Sequence, residues 1–126
     1  MAIINAVDGI VWEADADSLQ FSFVSNKAEE LLGYPTRLWL EEPDFWRNHL
    51  HPDDRDNVMA DCSAAVAALR SHVLEYRMVA ADGREVWLRD SVSVSRDGKR
   101  SNILRGIMMD ITEWKRAESL LQRGLI

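Results

Sequence analysis

Cysteine is almost absent from this chain of 126 residues. Cys62 stands alone, so no internal disulfide can form and no thiolate metal site can be assembled. Long apolar runs are absent too. No stretch approaches the ~18 residues of a membrane span, and the opening Met1-Ala2-Ile3-Ile4-Asn5 lacks the basic region of a signal peptide. These absences predict a cytoplasmic domain that does not itself insert into a membrane. Basic clusters are scarce: the net charge is -6, and the Lys115-Arg116 pair is flanked by Glu113 and Glu118. That argues against a nucleic-acid surface. There is no Gly-rich phosphate loop and no recognisable nucleophile-and-base motif, so the domain is not read as an enzyme. Internal repeats, low-complexity tracts and linkers are missing as well.

What is present suits one folded domain. Hydrophobic residues at 47% and charged residues at 29% are ordinary globular values, which excludes disorder. Two short strands are predicted at Gly9 to Ala14 and Leu19 to Val24, separated by the turn-forming Asp15-Ala16-Asp17-Ser18. Asn26 with Glu29 three residues on reads as a capping box for a short helix that Gly33 and Pro35 stop. A second short helix is predicted to open at Pro43, with Glu41, Glu42 and Asp44 near its positive end. The longest helix begins at Pro52 and places Val58, Cys62, Val66 and Leu69 on one buried stripe, where Cys62 reads as a packed core residue.

The last third carries three strand-like runs, Val73 to Ala80, Arg84 to Ser95 and Ser101 to Ile111. Asp82-Gly83 and Asp97-Gly98 mark the two turns between them, the strongest short-range hairpin signal. A final amphipathic helix, Thr112 to Leu125, carries Trp114, Leu121 and Leu125 at spacings that suggest a coiled coil. Strands, several helices and then strands give an α+β order.

Five blocks together resemble the PAS domain family, over roughly Ala6 to Glu118. They are Phe23 to Tyr34, His51-Pro52-Asp53-Asp54-Arg55, Glu75-Tyr76-Arg77, Asp82 to Trp87, and Gly106-Ile107-Met108-Met109-Asp110-Ile111-Thr112. The resemblance implies a five-stranded antiparallel sheet with short helices and one longer helix over one face. It also implies a core at residues 1–111 and a signalling helix starting at 112–126. In flavin-binding relatives polar residues hold the ring at the positions that Met78, Leu88 and Met108 occupy here. The reactive cysteine motif of that branch is also missing between Gly33 and Leu50. Haem-binding relatives use a histidine of the long helix, and residues 53–69 have none. His49, His51 and His72 do not cluster, and His51 before Pro52 reads as a helix cap. No flavin, haem or metal is expected.

Strand alternation selects an inward row. Tyr76, Met78, Leu88, Asp90, Val92 and Met108 are the candidate ligand pocket, which would take a small apolar or amphipathic molecule. Asp90 is the outlier. It either meets Tyr76, a water or a ligand group inside, or takes a partner at the rim. Asp110 also has inward parity; with Thr112 capping the helix, it is the candidate signal relay. The outward row, notably Trp87, Ile107 and Met109, is apolar enough to form a dimer interface, unless residues 1–7 or the helix after Thr112 fold back over it. The expected function is that of a sensory input and dimerisation module, a homodimer passing a ligand signal to a C-terminal output domain. The alternative is a ligand-free interaction module with a filled core. The abrupt start and the end within a helix point to an excised piece of a larger signalling protein.

Overall fold

The structure, a computed structural model, describes residues 8–96 and 102–124. Strands β1 (Ile10–Asp15) and β2 (Phe21–Val24) form the first antiparallel pair. Between them Asp15 Oδ2 accepts the backbone N–H groups of Asp17 and Ser18, an Asx-type turn built by the predicted residues. Four helices follow: α1 (Lys27–Leu32), α2 (Thr36–Glu41), α3 (Phe45–His49) and α4 (Pro52–Ala67). Strands β3 (His72–Val79), β4 (Glu85–Arg96) and β5 (Asn102–Asp110) complete the sheet, and α5 (Thr112–Gln122) leaves it. The strand order is β2-β1-β5-β4-β3, antiparallel throughout.

The five expected strands are all present, each displaced by no more than a residue or two. The turn at Asp97-Gly98 lies outside the described residues, as do residues 1–7 and Leu125. Helices α1 to α4 cover one face of the sheet. Between the layers lies a continuous core that includes Ile10, Trp12, Phe21, Leu32, Trp39, Phe45, Tyr76, Leu88 and Met108. Trp39 sits in its aromatic part, edge-on to Phe21 and tilted against Phe45.

Several helix expectations need correction. Asn26 makes no side-chain cap to α1, and Glu29 instead accepts the backbone N–H of Thr36. Helix α2 had no counterpart in the sequence reading. Pro43 does not open a helix; α3 starts after Asp44, which adopts left-handed φ, 57°. In α4 the stripe holds at Val58 and Cys62, with Val66 partly buried, and Ala65 joins it. Leu69 lies beyond the helix end and is exposed, its φ positive at 52°. His51 does cap α4: its Nδ1 accepts the N–H of Asp53.

Strand β3 lies at a sheet edge, where unpaired N–H and C=O groups invite association. Its second half is closed by the PAS-like His-Pro-Asp-Asp-Arg block. Asp54 Oδ2 accepts the Arg77 backbone N–H at 2.9 Å, and its two carboxylate oxygens also hold the Arg77 guanidinium. The His51 N–H donates to the Arg77 carbonyl, and the Tyr34 hydroxyl donates to that of Val79. Arg55 meanwhile donates to the carbonyls of Arg47, Asn48 and Leu50, tying α3 to α4.

Candidate functional site

Tyr76, Met78, Leu88, Asp90, Val92 and Met108 all face the core and are buried, with Asp90 only 1% exposed. The rim alternative for Asp90 is therefore replaced by an interior position. Its Oδ2 accepts the Tyr76 hydroxyl at 2.6 Å, and its Oδ1 accepts the Trp12 indole N–H at 2.9 Å. Tyr76 in turn accepts the Trp46 indole N–H at 3.1 Å. Four side chains from β1, α3, β3 and β4 thus form one buried polar chain. Burial pushes the Asp90 carboxyl up to about 7, the bonds from Tyr76 and Trp12 pulling the other way. Burial also drives the Tyr76 phenol well above its ordinary range and lifts the Cys62 thiol to about 11.

A cavity of about 10 Å³ remains beside this chain. It is lined by Trp12, Phe21, Trp46, Cys62, Asp90 and Val92, among others, and not by Tyr76, Met78, Leu88 or Met108. That is the space of about one water. In this arrangement the candidate pocket residues pack against one another and do not enclose a ligand-sized void.

Trp12 and Trp46 were missed as site residues. Trp12 belongs to the inward set Ile10, Trp12 and Ala14 of β1. A buried indole N–H needs an acceptor, and that requirement is the signal that could have found it. Gly106 makes its place: a Cβ there would lie 2.5 Å from the Ser91 carbonyl and 2.7 Å from the Trp12 ring.

At the exit from the sheet, Asp110 is exposed rather than inward. Its Oδ1 accepts both the backbone N–H and the hydroxyl of Thr112, at 2.9 and 2.6 Å. The Thr112 hydroxyl oxygen does not cap α5; it accepts the Trp87 backbone N–H at 3.0 Å. The Ile111 N–H donates to the Trp87 carbonyl. Trp87 of β4 is thereby bonded through both its backbone groups to Ile111 and Thr112, at the entrance to α5.

Helix α5 lies against the outer sheet face on its polar side. Lys115 Nζ is 3.1 Å from Glu75 and sits over the Trp87 ring at 4.8 Å and the Trp114 ring at 5.2 Å. Arg89 holds Glu75 from the other side at 2.6 Å. Arg89, opposed by burial and aided by Lys115, keeps the Glu75 carboxyl below its usual range. Two apolar side chains of α5 stay largely exposed, Trp114 at 50% and Leu121 at 61%, with Arg89 of β4 over the Trp114 ring at 5.6 Å. The helix thus covers the Trp87 end of the outer face, one of the two coverings anticipated. Trp87, Ile107 and Met109 are all half-buried, and an open groove lined by Trp87, Met109, Asp110, Thr112 and Lys115 runs beside α5. Among the described residues no group of His, Cys, Asp and Glu is arranged to hold a metal ion, and no helix is long and apolar enough to cross a membrane.

The chain is similar in sequence and fold to known proteins. The chain is 32% identical over 123 residues to a methyl sulfide methyltransferase-associated sensor of Methanosarcina acetivorans; the match takes in 94% of this chain and 12% of that protein's length. The N-terminal domain of a diguanylate cyclase with PAS/PAC sensor from Marinobacter aquaeolei superposes with a TM-score of 0.76 at 30% identity, over 85% of this chain and 98% of that one. A domain of the putative light and redox sensing histidine kinase from Haloarcula marismortui gives 0.66 at 26% identity, over 87% and 95%. The family model described as PAS fold matches residues 21–107. The chain belongs to the PAS fold family, in keeping with its five-stranded antiparallel sheet and the helices over its inner face.

Proposed function

We propose that this domain is a sensory input and self-association module of a larger signal-transduction protein. In this reading the sheet and helices through Ile111 are its sensing core, and the helix that starts at Thr112 carries the signal onward. The observation that carries the reading is the Thr112 hydroxyl, which joins the Trp87 N–H to the Asp110 carboxylate. Trp87 lies three residues from Asp90 on one strand, so a change in the core that moves β4 strains the bonds that set where α5 starts. A stimulus that binds two arrangements of the core unequally then changes their populations.

The relatives support an output domain of kinase or cyclase type. One is named as a sensor, one as part of a diguanylate cyclase and one as part of a histidine kinase. In the reading proposed, the domain itself does no chemistry, resides in the cytoplasm, and pairs with a second copy through Trp87, Ile107 and Met109. Asp110 and Thr112 relay the signal. The test is to place Thr112→Val in the parent protein and measure output and melting temperature together. The proposal expects output to lose its dependence on the stimulus while the domain stays folded. Output that merely tracks stability would refute it.

A second reading, a ligand-free interaction module with a filled core, is favoured by the cavity of about 10 Å³. Drug-sized ligands occupy sites of ~300–1,000 Å³. A small apolar or amphipathic ligand would therefore have to bind an opened arrangement of Tyr76, Met78, Leu88, Asp90, Val92 and Met108. Native mass spectrometry of the purified protein separates the two: a retained small molecule supports the first reading, a bare chain the second.

A further inference from the structure

Asp90 is buried without a counter-charge. The groups facing it are Trp12 from β1, Trp46 from α3, Cys62 from α4, Leu74 and Tyr76 from β3, and Met108 from β5. Of these only Tyr76 and Cys62 titrate, and burial lifts both, so both are neutral at ordinary pH. Among the described residues no lysine, arginine or histidine contributes to the carboxyl's environment.

Each protonation state of Asp90 satisfies something the other does not. The ionised carboxylate accepts the Trp12 N–H and the Tyr76 hydroxyl, while Tyr76 accepts the Trp46 N–H. Every donor then has an acceptor, but a full charge sits in a low-dielectric interior. When a proton binds at Oδ2 the charge disappears. The new O–H must donate to the Tyr76 oxygen, which already accepts from Trp46, and the Tyr76 hydrogen must turn elsewhere. The cavity beside Asp90 is not lined by Tyr76, so that hydrogen loses its carboxylate acceptor. Two hydrogen-bond arrangements, differing by one proton, therefore compete within the same packed space.

We propose that Asp90 and Tyr76 form a proton-binding site inside the core, whose occupancy rearranges the Trp12–Asp90–Tyr76–Trp46 chain and, through β4, the attachment of α5 at Thr112. The site itself stands apart from the signalling role argued above; its relay to α5 rests on that role.

The experiment is a pH titration of the whole chain by NMR, following side-chain carboxyl carbons and indole N–H resonances. The Asp90 carboxyl is expected to titrate near neutrality, with the Trp12 and Trp46 indoles shifting at the same midpoint. Asp90→Asn should abolish the shared transition. Tyr76→Phe removes a donor that favours the ionised form, so it should raise the midpoint by about one to two pH units. This second variant keeps the test open if Asp90→Asn does not fold. A carboxyl that holds one state across neutral pH, or indoles that ignore it, would overturn the site. Core resonances that titrate while the backbone amides of Thr112 and α5 stay still would overturn the relay alone.

Discussion

Asp54 and Asp90 respond to pH in opposite directions. The Arg77 guanidinium beside Asp54 holds that carboxyl below its usual value of 3.8, whereas burial pushes Asp90 up to about 7. By linkage, the Asp54 contribution is present above the unfolded value and lost as pH falls through the depressed folded one. The Asp90 contribution is complete below 3.8 and lost as pH rises through about 7. Asp90→Asn is therefore expected to flatten the fall in melting temperature between those two values; calorimetry across that range checks it. Asp54→Asn should cost about 2 kcal/mol at neutral pH, because charge-assisted bonds to Arg77 and a cap on the β3 edge are lost together. Denaturant melts measure it. Gly106 is constrained by space, not by conformational freedom: Gly106→Ala should destabilise by ~1–3 kcal/mol and alter Trp12 fluorescence, because the added carbon meets backbone on one side and indole on the other.

Among the elements, α5 is held to the sheet at two kinds of point. One is the pair of backbone attachments at Trp87; the other is Lys115, between two indole rings and beside Glu75. Removing the hydroxyl in Thr112→Val should cost about 1 kcal/mol and speed amide exchange at Trp87 and the first turn of α5. Thr112→Ser should restore protection. The Lys115 contact lies near solvent, so raising ionic strength should loosen the end of α5 before the sheet responds, as exchange rates in high salt would show. How far the sequence announces each element follows from where its determinants lie. The strands were legible because alternation and Asp-Gly are local signals, and parity alone brought Tyr76 and Asp90 to one face. Helix α2 was not legible: Leu38, Trp39 and Leu40 run consecutively, and its first turn is satisfied by Glu29, seven residues back. Trp12 as the partner of Asp90 lies 78 residues away, and only the placement of β5 between β1 and β4 brings them together. The exposure of Trp114 and Leu121 was hidden for a related reason. An amphipathic period identifies the apolar face but does not say that Lys115 and Glu118 will be the side turned to the sheet.

For the molecule as a whole, the apolar outer face predicts association in solution. Ile107→Glu introduces a charge among Gly9, Met109 and the β4 side chains, and should move the population toward monomer in sedimentation experiments. A further consequence comes from the strand order. β1 pairs with β2 within a few residues, yet its other neighbour is β5, and Glu13 meets Arg105 92 residues later. Until β5 is made, the first hairpin is a two-stranded ribbon, marginal by itself, and Trp12 lacks the glycine against which it packs. Closing so wide a loop must precede the contacts that reward it. During synthesis the domain therefore waits, with β1 and β4 both open-edged, for the last of its five strands. A chain ended after Arg96 is expected to show no cooperative thermal transition by circular dichroism, although four of the five strands are present. The same late closure makes nascent chains the form most exposed to edge-to-edge aggregation and dependent on chaperones, whatever the stability of the finished sheet.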